Sequence, residues 1–132
     1  MKRIALATLF VVCLLVPLGF AKGQKQRQTN PCENAPSQYE ADECAHKEYV
    51  AADAELNKAY NQLASKLEDQ EQRAQLKAAE LAWIKYRDTN CEFEGLFYKG
   101  GTMRPMIESF CKSGMTRART AELRRQIEVF EQ

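Results

Sequence analysis

Apolar residues recur along most of this chain at intervals of three and four, the period of one helical face. From Ala41 the series runs through Ala45, Tyr49, Ala52, Leu56, Tyr60, Leu63 and Leu67. It starts just after Pro36 and the sequence Ser37-Gln38-Tyr39-Glu40, a capping box in which serine and glutamate satisfy free amides of the first turn. The pattern predicts a helix of about 30 residues, roughly 45 Å long at 1.5 Å per residue. The stripe weakens at Glu68-Asp69-Gln70-Glu71, where Asp69 with Gln72 is placed to cap a second helix. On that helix Leu76, Ala79, Trp83, Tyr86 or Arg87, and Cys91 share a face. Neither Gly nor Pro marks the turn, so residues 37–91 read either as a hairpin or as one continuous helix. The hairpin is favoured, because a single rod leaves its stripe without a partner.

Glu94 to Arg104 has the punctuation of a loop: Gly95, then Gly100-Gly101, then Arg104-Pro105. Pro105 suits the first turn of a third helix. Gly114 reads as an interruption of it, and Thr116 as the cap of a last segment with Ala118, Ala121, Leu123, Ile127 and Phe130 on its apolar side. No stretch alternates with period two for long enough to form a strand. The expected fold is all-α: a small disulfide-stapled bundle built on a long antiparallel helical hairpin plus C-terminal helices.

The N-terminus changes how composition is counted. Lys2 and Arg3 precede an apolar run from Ile4 to Leu18, and Gly19-Phe20-Ala21 places small residues where a signal peptidase cuts. Residues 1–21 are therefore expected to be a signal peptide cleaved near Ala21, with no stable membrane insertion afterwards and a periplasmic or secreted mature chain. Val12 before Cys13 argues against lipid attachment at that cysteine. Residues 22–31, rich in polar and basic groups, read as a flexible lead-in to one domain over 32–132. Without Lys2 and Arg3, 17 basic residues face 18 acidic ones, a net charge of −1 that makes no case for nucleic-acid binding. Loss of Cys13 leaves Cys32, Cys44, Cys91 and Cys111, an even set that reads as two disulfides in an exported domain. Cys32–Cys44 with Cys91–Cys111 is favoured because short loops close most readily. Cys44–Cys91 with Cys32–Cys111 is the competing arrangement across the hairpin.

Chemistry leaves few marks. His46, the one histidine, has no nucleophile or orienting partner nearby in sequence and reads as a solvated surface residue. Asp42 and Glu43 beside it make only a weak metal pattern, so neither metal nor cofactor is expected. Glu92 and Glu94 would have to stand about 5–9 Å apart across a cleft to cleave a glycosidic bond. Straddling Phe93 near a helix end, they read instead as the flanks of a buried aromatic, and the chain as no enzyme. Trp83, Arg87 and Cys91, at i, i+4 and i+8, read as core, cover and staple, with Arg87 paired to a carboxylate such as Asp53 across the hairpin.

These motifs form an ordered string. Cys44, Asp53 and Leu56-Asn57-x-x-Tyr60 come first, then Ala82-Trp83-Ile84-x-Tyr86-Arg87-Asp88-x-x-Cys91. Gly100-Gly101-Thr102, Cys111, Thr116, Arg119 and Leu123 complete it. Together they resemble the LprI-type lysozyme-inhibitor domain over roughly Cys32 to Leu123. The resemblance implies an exported bacterial helical domain stapled by the four cysteines, with a protein partner that is expected to be lysozyme. Phe97, Tyr98, Lys99, Gly100, Gly101 and Arg104 are then the candidate binding loop: aromatic shoulders, a glycine tip and two cations suited to the acidic cleft of a lysozyme. An ordinary connection whose aromatics fold back on the core is the plain alternative. At the level of function, the alternative is an envelope scaffold or stress-associated module that binds a protein or peptidoglycan partner.

Overall fold

A computed structural model describes residues 31–131. The expected signal peptide, its cleavage site and all of the lead-in except Pro31 lie outside the described residues. Three helices account for most of the described chain: α1 (Gln38–Lys66), α2 (Gln70–Leu96) and α3 (Arg104–Val129). The all-α expectation holds.

Local signals set the first two helices. Ser37 is extended, and its hydroxyl oxygen accepts from the Glu40 amide at 3.3 Å while bonding the Glu40 carboxylate at 2.8 Å. Asp69 caps α2 by accepting from the Gln72 amide at 2.8 Å. The choice between hairpin and rod is settled at residues 67–69. Leu67 leaves the helix in an extended conformation. The Arg73 guanidinium then donates to the carbonyls of Leu67 and Glu68 at 3.0 and 3.1 Å, satisfying acceptors that the end of α1 exposes. An arginine closes this turn where glycine commonly would.

α3 runs parallel to α1 and antiparallel to α2. Along α1 the register is marked by Glu48–Arg117, Glu55–Arg124 and Lys66–Glu131. Along α2 it is marked by Glu80–Arg119, Arg87–Thr116 and the Cys91–Cys111 bond. α3 packs against both other helices, whereas α1 and α2 make little close contact with each other. The hairpin is thus completed by the third helix and does not bury its own stripe.

Two expectations for the C-terminal region are corrected. Gly114 does not interrupt a helix; α3 passes through it unbroken, and Gly114 faces open space. Thr116 caps nothing. It is fully buried mid-helix, where its hydroxyl accepts from Arg87 at 3.2 Å. The buried stripe of α3 is Ser113, Thr116, Thr120, Leu123 and Ile127, while Ala118, Ala121 and Phe130 are exposed. On α2, likewise, Ala79 is exposed and Glu80 takes the inward position. Thr116 and Glu80 can line these faces because arginines on neighbouring helices bond them, and Thr120 donates to the Thr116 carbonyl of its own helix.

The apolar core is small and sits toward the α1–α2 turn. Leu56, Ala59 and Leu63 of α1 meet Leu123 and Ile127 of α3, with Tyr60, Leu76 and Trp83 packed at the edge. Each buried Leu or Ile contributes about 1.5–3 kcal/mol. At the opposite end one disulfide ties the turn before α1 to α1 and another ties α2 to α3. Cys32–Cys44 has a Cα separation of 5.8 Å and Cys91–Cys111 one of 5.5 Å.

Candidate functional site

The α2–α3 connection lies at the disulfide-tied end, beside the start of α1. α2 reaches it along a tightly held line: Cys91 is bonded to α3, and one turn later Gly95 is buried against Glu108. A Cβ built on Gly95 would lie 2.6 Å from Glu108 Cγ, so a larger residue here would have to push the Glu108 side chain aside. Beyond it the chain folds into successive turns, with the amides of Tyr98, Lys99 and Gly101 donating to the carbonyls of Gly95, Leu96 and Tyr98. Gly100 has φ +80°, in the left-handed region that side chains disfavour. The loop is a braced turn.

Its aromatic groups do not fold back. Phe97 is 74% exposed, and Leu96, Tyr98 and Met103 are exposed with it. Phe93 is also exposed, at 59%, which corrects the expectation of a buried aromatic between Glu92 and Glu94. Cys91 and Gly95 point at α3, so a residue two positions from either faces away. Phe93 and Phe97 instead meet edge to face with ring centres 5.3 Å apart. Loop composition nominates Phe97, Tyr98, Lys99, Gly100, Gly101 and Arg104, and all but Arg104 are exposed. It misses Phe93 and Leu96. The outward direction of Cys91+2 was the available signal for the first. Arg104 departs from the group: it opens α3 and donates to Glu108 at 2.6 Å. Lys99 has no ion-pair partner among the described residues.

The nominated structural residues gather elsewhere, around Arg87. Its side chain is 4% exposed and donates to Asp88 at 3.0 Å, Asp53 at 3.1 Å and the Thr116 hydroxyl at 3.2 Å. The guanidinium also lies 5.2 Å from the Tyr49 ring and 5.3 Å from the Trp83 ring. Burial is the largest influence on Arg87 and lowers its pKa. Hydrogen bonding to Asp88, with Tyr49 and Asp53, outweighs it and holds the group above its ordinary value. Asn57 donates to both the carbonyl and the carboxylate of Asp53, and Leu56 and Tyr60 join the core. Tyr86 is exposed, so Arg87 is the residue of that pair which faces inward. One arginine thus links all three helices.

Residues considered for catalysis are scattered. Glu92 and Glu94 are exposed, and Glu94 accepts from Asn90. His46 is exposed near Tyr49. Among the described residues no group of three His, Cys, Asp or Glu side chains is arranged to hold a metal.

Residues 29–123 match the family described as lysozyme inhibitor LprI. The chain belongs to this family. The matched span includes all four bonded cysteines, the Arg87 cluster and the braced loop. An uncharacterized protein of Rhizobium meliloti (strain 1021) is 35% identical over 143 residues, covering 99% of each chain. No solved structure matches. Within this LprI-family chain, no helix of the described residues is long and apolar enough to cross a membrane.

Proposed function

We propose that this protein is exported on a cleaved N-terminal leader and inhibits a lysozyme without catalysis, docking through its disulfide-tied end. The observation that carries the reading is the braced tip, whose exposed Phe93, Leu96, Phe97, Tyr98 and Met103 lie within eleven consecutive residues. A preformed aromatic patch supplies the central contact of a protein interface at low ordering cost. Lys99 provides the cation for an acidic cleft, since the Arg104 guanidinium is committed to Glu108. Family membership supports lysozyme as the partner.

The test is a turbidity assay on bacterial cell walls with several lysozyme types and a no-lysozyme control. Dose-dependent protection is expected from the oxidised protein, and Phe97→Ser and Tyr98→Ala should weaken it at least tenfold. Lys99→Ala should weaken it less and reduce its salt sensitivity. Absence of protection against every type rejects the inhibitor reading. Full protection by the Phe97 and Tyr98 variants rejects the docking end, and clearing in the control rejects the non-catalytic assignment.

A further inference from the structure

A groove of about 350 Å³ runs between α1 and α2, on the flank of the bundle and away from the braced tip. That volume falls in the range of small-molecule sites, roughly 300–1,000 Å³. It exists because α3 occupies the position between the other two helices and leaves their outer edges apart. None of the interactions that hold the core or the tip fills it.

The chemistry of its walls is specific. Four charged side chains line it: Asp53 and Glu80, Lys77 and Arg87. Their charges cancel. Both carboxylates already have guanidinium partners, Arg87 for Asp53 and Arg119 for Glu80. A free cation would therefore compete with existing guanidinium partners, and a free anion would find one unpaired cation, Lys77, beside two carboxylates. What remains unspent is hydrogen-bonding capacity, neutral apart from the Lys77 ammonium. The Asn57 amide nitrogen is used on Asp53, leaving its carbonyl oxygen as an acceptor. Lys77 has no ion-pair partner among the described residues, and the hydroxyls of Tyr49 and Tyr60 can both donate and accept. Leu81, 58% exposed, and Ile84 add an apolar wall.

Glu80 gives the second observation. Its residue is 7% exposed, and Oε2 takes Arg119 Nε and Nη2, each at 3.0 Å. Oε1, shielded from solvent, has no donor. A buried acceptor in this condition calls for a donor.

We propose that this groove binds a short neutral saccharide. Sugar hydroxyls both donate and accept, which matches Asn57, Lys77 and the two phenols. The C–H face of a pyranose suits Leu81 and Ile84. A hydroxyl reaching the floor, with a small turn of the Glu80 carboxylate, supplies the donor that Oε1 lacks. The site is independent of the lysozyme-docking end, so either assignment can stand without the other.

Saturation-transfer NMR on the oxidised protein tests it with four probes: the N-acetylglucosamine trimer, cellotriose, maltotriose and spermidine. Transfer to at least one trisaccharide is expected, and the trisaccharide that responds distinguishes a cell-wall amino sugar from a plain glucan. Asn57→Ala and Leu81→Lys alter exposed side chains, and circular dichroism verifies their folding. Each should weaken binding at least tenfold. Three outcomes overturn the proposal: no transfer to any trisaccharide, saccharide binding that both variants retain, or binding of spermidine alone, which would make the groove a cation site.

Discussion

Replacing Arg87 tests whether one buried cation organises this bundle. Arg87→Ala removes three hydrogen bonds and contacts with two aromatic rings. A buried pair broken from one side commonly costs about 3–5 kcal/mol, because a charge is left uncompensated. Here Asp53 and Asp88 are each 38% exposed and can rehydrate, so the carboxylate share falls to about 1 kcal/mol per bond. The buried Thr116 hydroxyl loses its donor, at about 1 kcal/mol, and each ring contact adds about 0.5 kcal/mol. The expected loss is about 3–4 kcal/mol, a large part of a small domain's stability. Arg87→Lys keeps the charge but not the planar fork and should lose about 1–2 kcal/mol. Asp53→Asn, which changes a partly exposed partner, should lose less than about 1 kcal/mol. Urea unfolding followed by far-UV circular dichroism measures all three. It is preferable to fluorescence, because Trp83 stacks on the altered side chain. A loss below about 1 kcal/mol for Arg87→Ala, or an Asp53→Asn loss as large as it, would refute the reasoning.

Two glycines should respond with opposite signs in thermal unfolding. Gly100→Ala forces a side chain into φ +80° and should lose about 1 kcal/mol, whereas Gly114→Ala, at an exposed helical position with open space around it, should gain about 0.5–1 kcal/mol. Burial pushes the Tyr49 phenol up against the opposing pull of Arg87, so the folded chain holds that proton more tightly than the unfolded chain. Stability from this group is complete below pH about 10 and is lost as pH rises beyond it; denaturation across that range should show a shallower decline in Tyr49→Phe. Replacing Cys91 and Cys111 together by Ser should lose about 3 kcal/mol. Amide exchange should then accelerate first in residues 92–103, while the Leu63–Ile127 region remains protected.

Sequence signals were most readable where the physics is local. Ser37 and Asp69 serve as caps because a cap needs only a side-chain oxygen two or three residues before a free amide. The α1 stripe is legible because its inward residues are apolar. α3 was harder to read, since Ser113, Thr116 and Thr120 are buried at positions that a hydrophobicity pattern marks as outward. Only the placement of Arg87 from another helix makes Thr116 a suitable core residue. Gly114 misled for a related reason: its cost of about 1 kcal/mol is local, and the packing on either side of it outweighs that cost. At the candidate site the glycines and aromatics were visible, but Arg104's commitment to Glu108 and the outward turn of Phe93 depend on how α2 meets α3.

The two ends of the bundle are held by different means, and this connects the fold to the proposed activity. At the α1–α2 turn, Leu56, Leu63, Leu123 and Ile127 provide apolar cohesion. At the other end no comparable cluster forms among the described residues; two disulfides and the Gly95–Glu108 approach take its place, and the Arg87 network ties the helices midway along their length. A domain this small has little apolar surface to distribute. Covalent and polar ties that do not consume aromatic side chains allow Phe93, Leu96, Phe97, Tyr98 and Met103 to face outward without loosening the helices beneath them. Exposed apolar residues on a mobile loop would be costly to order on binding. On a braced one they are already in place. The same cysteines that suit an oxidising compartment therefore account for the patch that the proposed inhibitor presents.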